Sequence, residues 1–70
     1  MKENLPEALA GEMVRVAALV ERYRDPELNG VGELAARMME VDLLAAQAAV
    51  RNGDAVDMIR AYQAFKDYSD

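Results

Sequence analysis

Residues 31–53 read VGELAARMMEVDLLAAQAAVRNG, and this stretch decides the fold. Its apolar residues recur every three or four positions, which predicts one long helix over about residues 31–51. Asn52-Gly53 is a strong stop signal, because glycine readily takes the left-handed conformation that ends a helix. The helix carries two apolar stripes on separate sides. We therefore expect it to be the central element, packed against two neighbours.

The two stripes are distinct sets of residues. The first stripe comprises Val31, Leu34, Met38, Val41, Ala45 and Ala48. The second stripe comprises Ala36, Met39, Leu43, Ala46 and Val50. A chain of this size covers two stripes poorly, so we expect the second one to form the core or a dimer interface. The candidate residues for that contact are Met39, Leu43, Ala46 and Val50.

Two further helices flank the central one. Helix one is predicted over about residues 5–24, with Asn4 as its cap. Asp25-Pro26 ends it, because a residue before proline is pushed out of the helical region. Helix three is predicted over about residues 55–67, with Asp54 as its cap. The sequence thus predicts a single all-α domain of three helices, a helical hairpin plus a short third helix.

The length of the chain bears on its oligomeric state. Seventy residues form one domain at most, and a core of that size is marginal. No cysteine is present to form a disulfide, which leaves self-association as the remaining source of stability. A closed monomeric bundle satisfies the stripes. A hairpin that dimerises through the second stripe, with helix three folded over the seam, also satisfies them. Size and composition favour the homodimer.

The composition excludes several classes of function. A net charge of −5 argues against a nucleic-acid partner and against an anionic membrane surface. The chain has no histidine, cysteine or threonine, and Ser69 is its only serine. We therefore predict no catalytic residues, no metal site and no cofactor. Neither a signal-peptide pattern nor a bilayer-spanning apolar run is visible, which predicts a cytoplasmic protein.

The connection after helix one has some features of a calcium loop. Asp25, Glu27 and Asn29 alternate as the first oxygen ligands of such a loop do. The bidentate glutamate required at the twelfth position is absent, and Ala36 stands there instead. We interpret the segment as a capped turn between two helices.

Residues 34–53 resemble the helix-turn-helix of phage-repressor-type regulators. LAARM matches the usual first helix of that motif, and the closing RNG is also typical of it. The resemblance implies a small dimeric transcriptional regulator or antitoxin-like protein. Two features oppose it. Met39-Glu40 continue the helix where the motif needs a turn, and Gln47 is the one polar side chain available to read bases.

Asp42 is an unusual residue for its position. It projects between the two apolar stripes, and an unpaired carboxylate there is costly to bury. We therefore expect Asp42 to be partly buried and to contact an arginine of another helix or of a second subunit. Arg15 and Arg22 are the candidate partners, and Arg24 would reach Asp42 only if the hairpin register were shifted.

Side chains that a three-helix core does not readily absorb are candidates for a partner contact. They are Val14, Arg15, Ala18, Arg22, Asp42 and Tyr68. With no sign of catalysis, these residues predict a non-catalytic module that binds a larger cytoplasmic protein and inhibits or modulates it. A structural subunit of a larger assembly is a further alternative.

In size, acidity and helix layout, the chain is similar to the small acidic helical proteins that temperate phages encode to antagonise host regulators. Quorum-sensing anti-activators are one example of that class. The similarity rests on these general properties and not on a sequence motif. It implies that binding to the larger protein is inhibitory.

Overall fold

The computed structural model of the chain describes residues 4–69. Within them lie α1 (Leu5–Tyr23), a short 3-10 turn (Pro26–Leu28), α2 (Glu33–Asn52) and α3 (Ala55–Lys66). The predicted all-α fold of three helices is confirmed. Each helix packs against the other two, so the chain forms a closed three-helix bundle.

Short polar side chains cap the starts of the helices. Their oxygens accept backbone amide hydrogen bonds: Asn4 from Glu7 at 2.9 Å, Asp25 from Glu27 at 2.9 Å, and Asp54 from Asp57 at 3.1 Å. The caps at Asn4 and Asp54 are the ones that the sequence predicted, because capping depends on local geometry. The start of α2 has no side-chain cap. Gly32 occupies that position, and the helix begins at Glu33 instead of Val31.

The connection between α1 and α2 is compact. Asn29 takes the left-handed conformation, with φ 53°, which reverses the chain after the 3-10 turn. Gly32 is buried against the backbone of Tyr23, where a Cβ atom would overlap the Tyr23 carbonyl oxygen. This close approach brings the start of α2 directly onto the end of α1. The connection between α2 and α3 is shorter still, with Gly53 in the left-handed conformation at φ 65°.

An ion-pair cluster on the surface joins α1 to α2. The Arg24 guanidinium donates to Glu40 at 2.6 and 2.8 Å and to Glu33 at 3.2 and 3.3 Å. The hydrogen bonds from Arg24 lower the pKa of the Glu40 carboxyl. Arg24 is therefore held at the α1–α2 corner, well engaged by two carboxylates.

The core is apolar and draws on all three helices. Its buried residues are Leu9, Val16, Leu19, Val20, Ala36, Met39, Ala46, Ala49, Met58, Ala61 and Phe65. Most of the buried residues from α2 are alanines, which let α1 and α3 approach it closely. Leu43, Tyr62 and Tyr68 pack against the edge of this cluster.

The segment that resembles a helix-turn-helix is one continuous helix. Residues 34–52 all belong to α2, and Gly53 is its C-cap. The motif would require a turn near Met39-Glu40, so the structure contradicts a helix-turn-helix at residues 34–53. Within the described part of the chain, no helix has the length and apolar character needed to cross a membrane.

Candidate functional site

The outward face of α2 carries a row of apolar side chains that the bundle leaves largely exposed. We call it the α2 seam and define it by Val31, Leu34, Met38, Val41, Ala45 and Ala48. Val31 precedes the helix, and the others follow along it at alternating steps of four and three residues. The exposed fractions of the four large residues are 85% for Val31, 71% for Leu34, 54% for Met38 and 65% for Val41. This spacing is the one used by helices that pair with another helix.

The seam is exposed because α1 and α3 pack on the opposite side of α2. That side corresponds to the second stripe of the sequence. Met39 and Ala46 are buried in the core, Leu43 is half-buried against it, and Val50 remains exposed. The second stripe is thus largely covered within the chain, where most of its residues belong to the core or its edge. The first stripe, which was not proposed as a contact, is the uncovered one.

A shallow groove runs along one side of the seam, between α2 and α3. Its volume is about 390 Å³. It is lined by Asp42, Ala45, Ala48, Ala49 and Asn52 from α2 and by Asp57, Arg60, Ala61 and Ala64 from α3. The small side chains of this lining are alanines, and the remaining side chains are polar or charged. Because Ala45 and Ala48 belong to both features, the groove widens the seam toward α3.

A second groove, of about 450 Å³, extends the seam at the α1–α2 turn. Tyr23, Leu28 and Val31 give this groove its apolar character, and Arg22 lies at its border. Together the seam and its two flanking grooves form a continuous surface along α2. The surface is long and open, a shape suited to an extended polypeptide element.

Asp42 lies beside the seam and is half-buried, as expected. Its partner differs from the prediction. The Tyr68 hydroxyl donates a hydrogen bond to the Asp42 Oδ2 atom at 2.6 Å, and no ion pair with an arginine is formed among residues 4–69. The chain continues its last turn past α3, which brings Tyr68 over α2. Two of the predicted contact residues therefore contact each other.

Arg15 has a structural role that the sequence did not suggest. Its guanidinium donates to the Phe65 carbonyl oxygen at 2.6 Å, near the end of α3. It also forms two hydrogen bonds with Glu12 at 3.1 and 3.2 Å, and these bonds lower the pKa of the Glu12 carboxyl. A cation at the carbonyl end of a helix is favourable. Arg15 thus ties α1 to α3.

The remaining contact candidates lie on α1, away from the seam or at its border. Val14 and Ala18 are exposed on the outer side of α1. Arg22 is exposed and borders the groove at the turn. The structure does not bring Val14 and Ala18 together with Asp42 and Tyr68, so the six candidates do not form one site.

The described residues offer no group of three or more His, Cys, Asp or Glu side chains placed to hold a metal ion. Comparison with known proteins finds no matching family, no similar curated protein and no similar solved structure. The described residues form a three-helix bundle in which α2 carries an exposed apolar face.

The Tyr68 phenol is a weaker acid than an ordinary tyrosine side chain. Its burial, together with the hydrogen bond to Asp42, raises the pKa of Tyr68 to about 12 from 10.0. Both effects disfavour the phenolate, because a second negative charge would lie beside the Asp42 carboxylate in a partly dehydrated position.

Replacing Tyr68 with phenylalanine is expected to make the protein less sensitive to alkaline pH. In the wild type the stabilisation from the neutral phenol is present below the unfolded pKa of 10.0 and is lost as pH rises through the folded value of about 12. Urea unfolding, followed by circular dichroism at neutral pH and within this window, measures the effect. Parallel losses in the wild type and in Tyr68→Phe would contradict the assignment.

Proposed function

We propose that this protein is a non-catalytic interaction module that binds a larger protein through the α2 seam and inhibits or modulates it. The observation that carries the proposal is the exposure of the seam. The bundle completes its core from the other side of α2 and leaves four large apolar side chains in water. Contiguous apolar surface of this kind is typical of a protein contact.

The arrangement of the seam favours a helix as the partner element. Residues Leu34, Met38 and Val41 follow the spacing that a second helix covers when it packs against the first. A net charge of −5 weakens any attraction to the phosphates of a nucleic acid. The flanking grooves are shallow and open, which suits a polypeptide better than a small molecule.

The small size of the chain supports inhibition or modulation as its effect on the partner. A module of seventy residues with an exposed apolar helix face acts most simply by occupying a helix-binding surface on its partner. The similarity in size, acidity and helix layout to phage-encoded antagonists also supports an inhibitory effect on the partner. As part of this proposal, we place the interaction in the cytoplasm.

Met38→Glu is expected to abolish partner binding and to leave the bundle folded. Met38 is 54% exposed at the middle of the seam, so a charge there is tolerated in the free protein. Burying that charge in a complex without a counter-ion is costly, and we expect a loss of affinity of about tenfold or more. Affinity capture from lysate of the host organism, with mass spectrometry of the retained proteins, measures the effect.

Gln47→Glu is the matched control for this experiment. It introduces the same charge on the polar side of α2, where the side chain is exposed. We expect the wild type and Gln47→Glu to retain the same protein at a fixed stoichiometry. Equal retention by Met38→Glu, with circular dichroism showing all three proteins folded, would refute the proposed use of the seam.

A further inference from the structure

The two flanks of the α2 seam carry opposite charges. Arg37 lies on one flank, one residue before Met38, and Arg51 continues that flank beyond Ala48, one residue before Asn52. Asp42 lies on the other flank, one residue after Val41. In a helix pair such flanking positions face the partner helix, so their charges decide its orientation.

We propose that, in the absence of the larger protein, the seam is covered by a second copy of this chain that packs parallel to α2 and in register with it. The inference rests on the proposed function in one respect, that the seam is a protein contact. It adds that self-association regulates access to the seam, because a second copy and the larger protein compete for it.

Charge complementarity favours the parallel orientation. In a parallel pair, a residue on the basic flank of one helix lies beside the residue five positions further along on the acidic flank of the other helix. Arg37 of one copy therefore lies beside Asp42 of the other. The two-fold symmetry of the pair forms this contact twice. An antiparallel pair brings like flanks together instead. Asp42 would then face the acidic flank of its partner, and Arg37 the basic one.

Both members of this pair are available. The Arg37 side chain is 74% exposed, and its contact with Glu33 on the same helix is long, at 3.7 Å. The Asp42 Oδ2 atom accepts the Tyr68 hydrogen bond, while among residues 4–69 no group donates to its Oδ1 atom. Tyr68 thus fixes the orientation of the carboxylate and leaves one oxygen free to accept from an incoming guanidinium.

The groove between α2 and α3 lies beside the basic flank of a parallel second copy. Its lining is mixed in charge, because Asp57 and Arg60 both line it and form an ion pair at 3.9 Å. This end of the contact is therefore mainly apolar. Ala45 and Ala48 at this end of the seam are small, so the two α2 helices approach closely there. The paired face thus combines apolar contact with the opposite-charge contact of Arg37 and Asp42.

The size of the seam predicts a weak dimer. From residue 31 to residue 48 it is about 25 Å long, at about 1.5 Å per residue. A two-helix contact of this length lies at the small end of protein interfaces, so we expect a dissociation constant on the order of tens of micromolar. Such a dimer forms readily at high concentration and dissociates when a tighter-binding partner occupies the seam.

Sedimentation equilibrium of the purified full chain, over about 5 to about 500 µM, tests the proposal. The expected result is a monomer–dimer equilibrium in the wild type and in Val14→Glu, which adds a charge outside the seam. Met38→Glu is expected to remain monomeric, with a circular dichroism spectrum like that of the wild type. A wild-type mass of one chain throughout, a mass above two chains, or a dimer of Met38→Glu would overturn it.

The role of Arg37 is tested by a second set of variants. Arg37→Glu is expected to weaken the dimer by about tenfold, because it places two carboxylates together in each half of the pair. Arg37→Lys keeps the charge and is expected to change the dissociation constant by less than about threefold. Lys66→Glu makes the same change in net charge on α3, away from the seam, and is the control. Equal weakening by Arg37→Glu and Lys66→Glu would overturn the charge pairing.

Disulfide formation tests the orientation, since the chain has no cysteine of its own. Leu34→Cys is expected to form a disulfide-linked dimer in a mildly oxidising thiol buffer, because a parallel in-register pair brings identical positions together. In an antiparallel pair centred on the seam, a disulfide would form only when Leu34→Cys and Ala45→Cys chains are mixed. That outcome would overturn the proposed orientation.

The two proposals fail separately. Sedimentation uses the purified chain alone, so a strictly monomeric wild type overturns self-association and leaves the capture of a larger protein unaffected. Failure of Met38→Glu to lose a captured protein overturns the proposed function and leaves the dimer unaffected.

Discussion

Replacing Phe65 with alanine is expected to remove a large part of the stability of this protein. Phe65 is fully buried on α3 and belongs to the core to which all three helices contribute. Truncating a buried phenylalanine to alanine costs about 3–5 kcal/mol, since apolar burial is lost and a cavity remains. The total stability expected for a chain of this length is only about 4–10 kcal/mol.

Urea unfolding followed by circular dichroism measures this effect. Phe65→Leu is the matched control, because it retains most of the side-chain volume and is expected to cost about 1–1.5 kcal/mol. The backbone carbonyl oxygen of residue 65 accepts the hydrogen bond from Arg15 in both variants, so the comparison isolates side-chain packing. Similar unfolding midpoints for Phe65→Ala and the wild type would show that the core is not packed as described.

Replacing Gly32 with alanine is expected to destabilise the protein by about 2–3 kcal/mol, although the change adds a single methyl group. The Cβ atom would overlap the Tyr23 carbonyl oxygen and lie 3.0 Å from the Tyr23 carbonyl carbon. These are backbone atoms, so no side-chain rotation relieves the contact. The α1–α2 connection must shift, and the start of α2 moves away from the end of α1.

Gly11→Ala is a control of opposite sign. Beyond its chain neighbours and the nearby backbone of its own helix, a Cβ atom at Gly11 has no heavy atom within 4 Å, and the residue lies inside α1. Alanine there is expected to stabilise the protein by about 0.5–1 kcal/mol, because glycine lowers helix propensity. Thermal unfolding of the two variants measures both effects. Equal shifts in the same direction would contradict the close approach at Gly32.

The features that the sequence predicted correctly are the local ones. Asn4 and Asp54 cap their helices as expected, and Gly53 ends α2, because each role depends on a few neighbouring residues. The 3.6-residue period likewise showed that α2 has two apolar sides. These signals establish three helices and their approximate ends.

The features that the sequence did not predict depend on how the helices approach each other. Both stripes of α2 are apolar, so the pattern alone could not show that α1 and α3 would cover Met39 and leave Met38 exposed. The packing of α1 and α3 around α2 decides this. The hydroxyl partner of Asp42 was missed for a related reason. Tyr68 follows the end of α3, and its approach to α2 is set by tertiary packing.

The brevity of the two connections has a consequence for the lifetime of the protein. With helices joined by short turns, many contacts link residues close along the chain, and such topologies fold within about microseconds to milliseconds. When opening and closing are fast relative to cleavage by a protease, degradation tracks the free energy of unfolding. Any partner that binds only the folded chain would therefore prolong its survival.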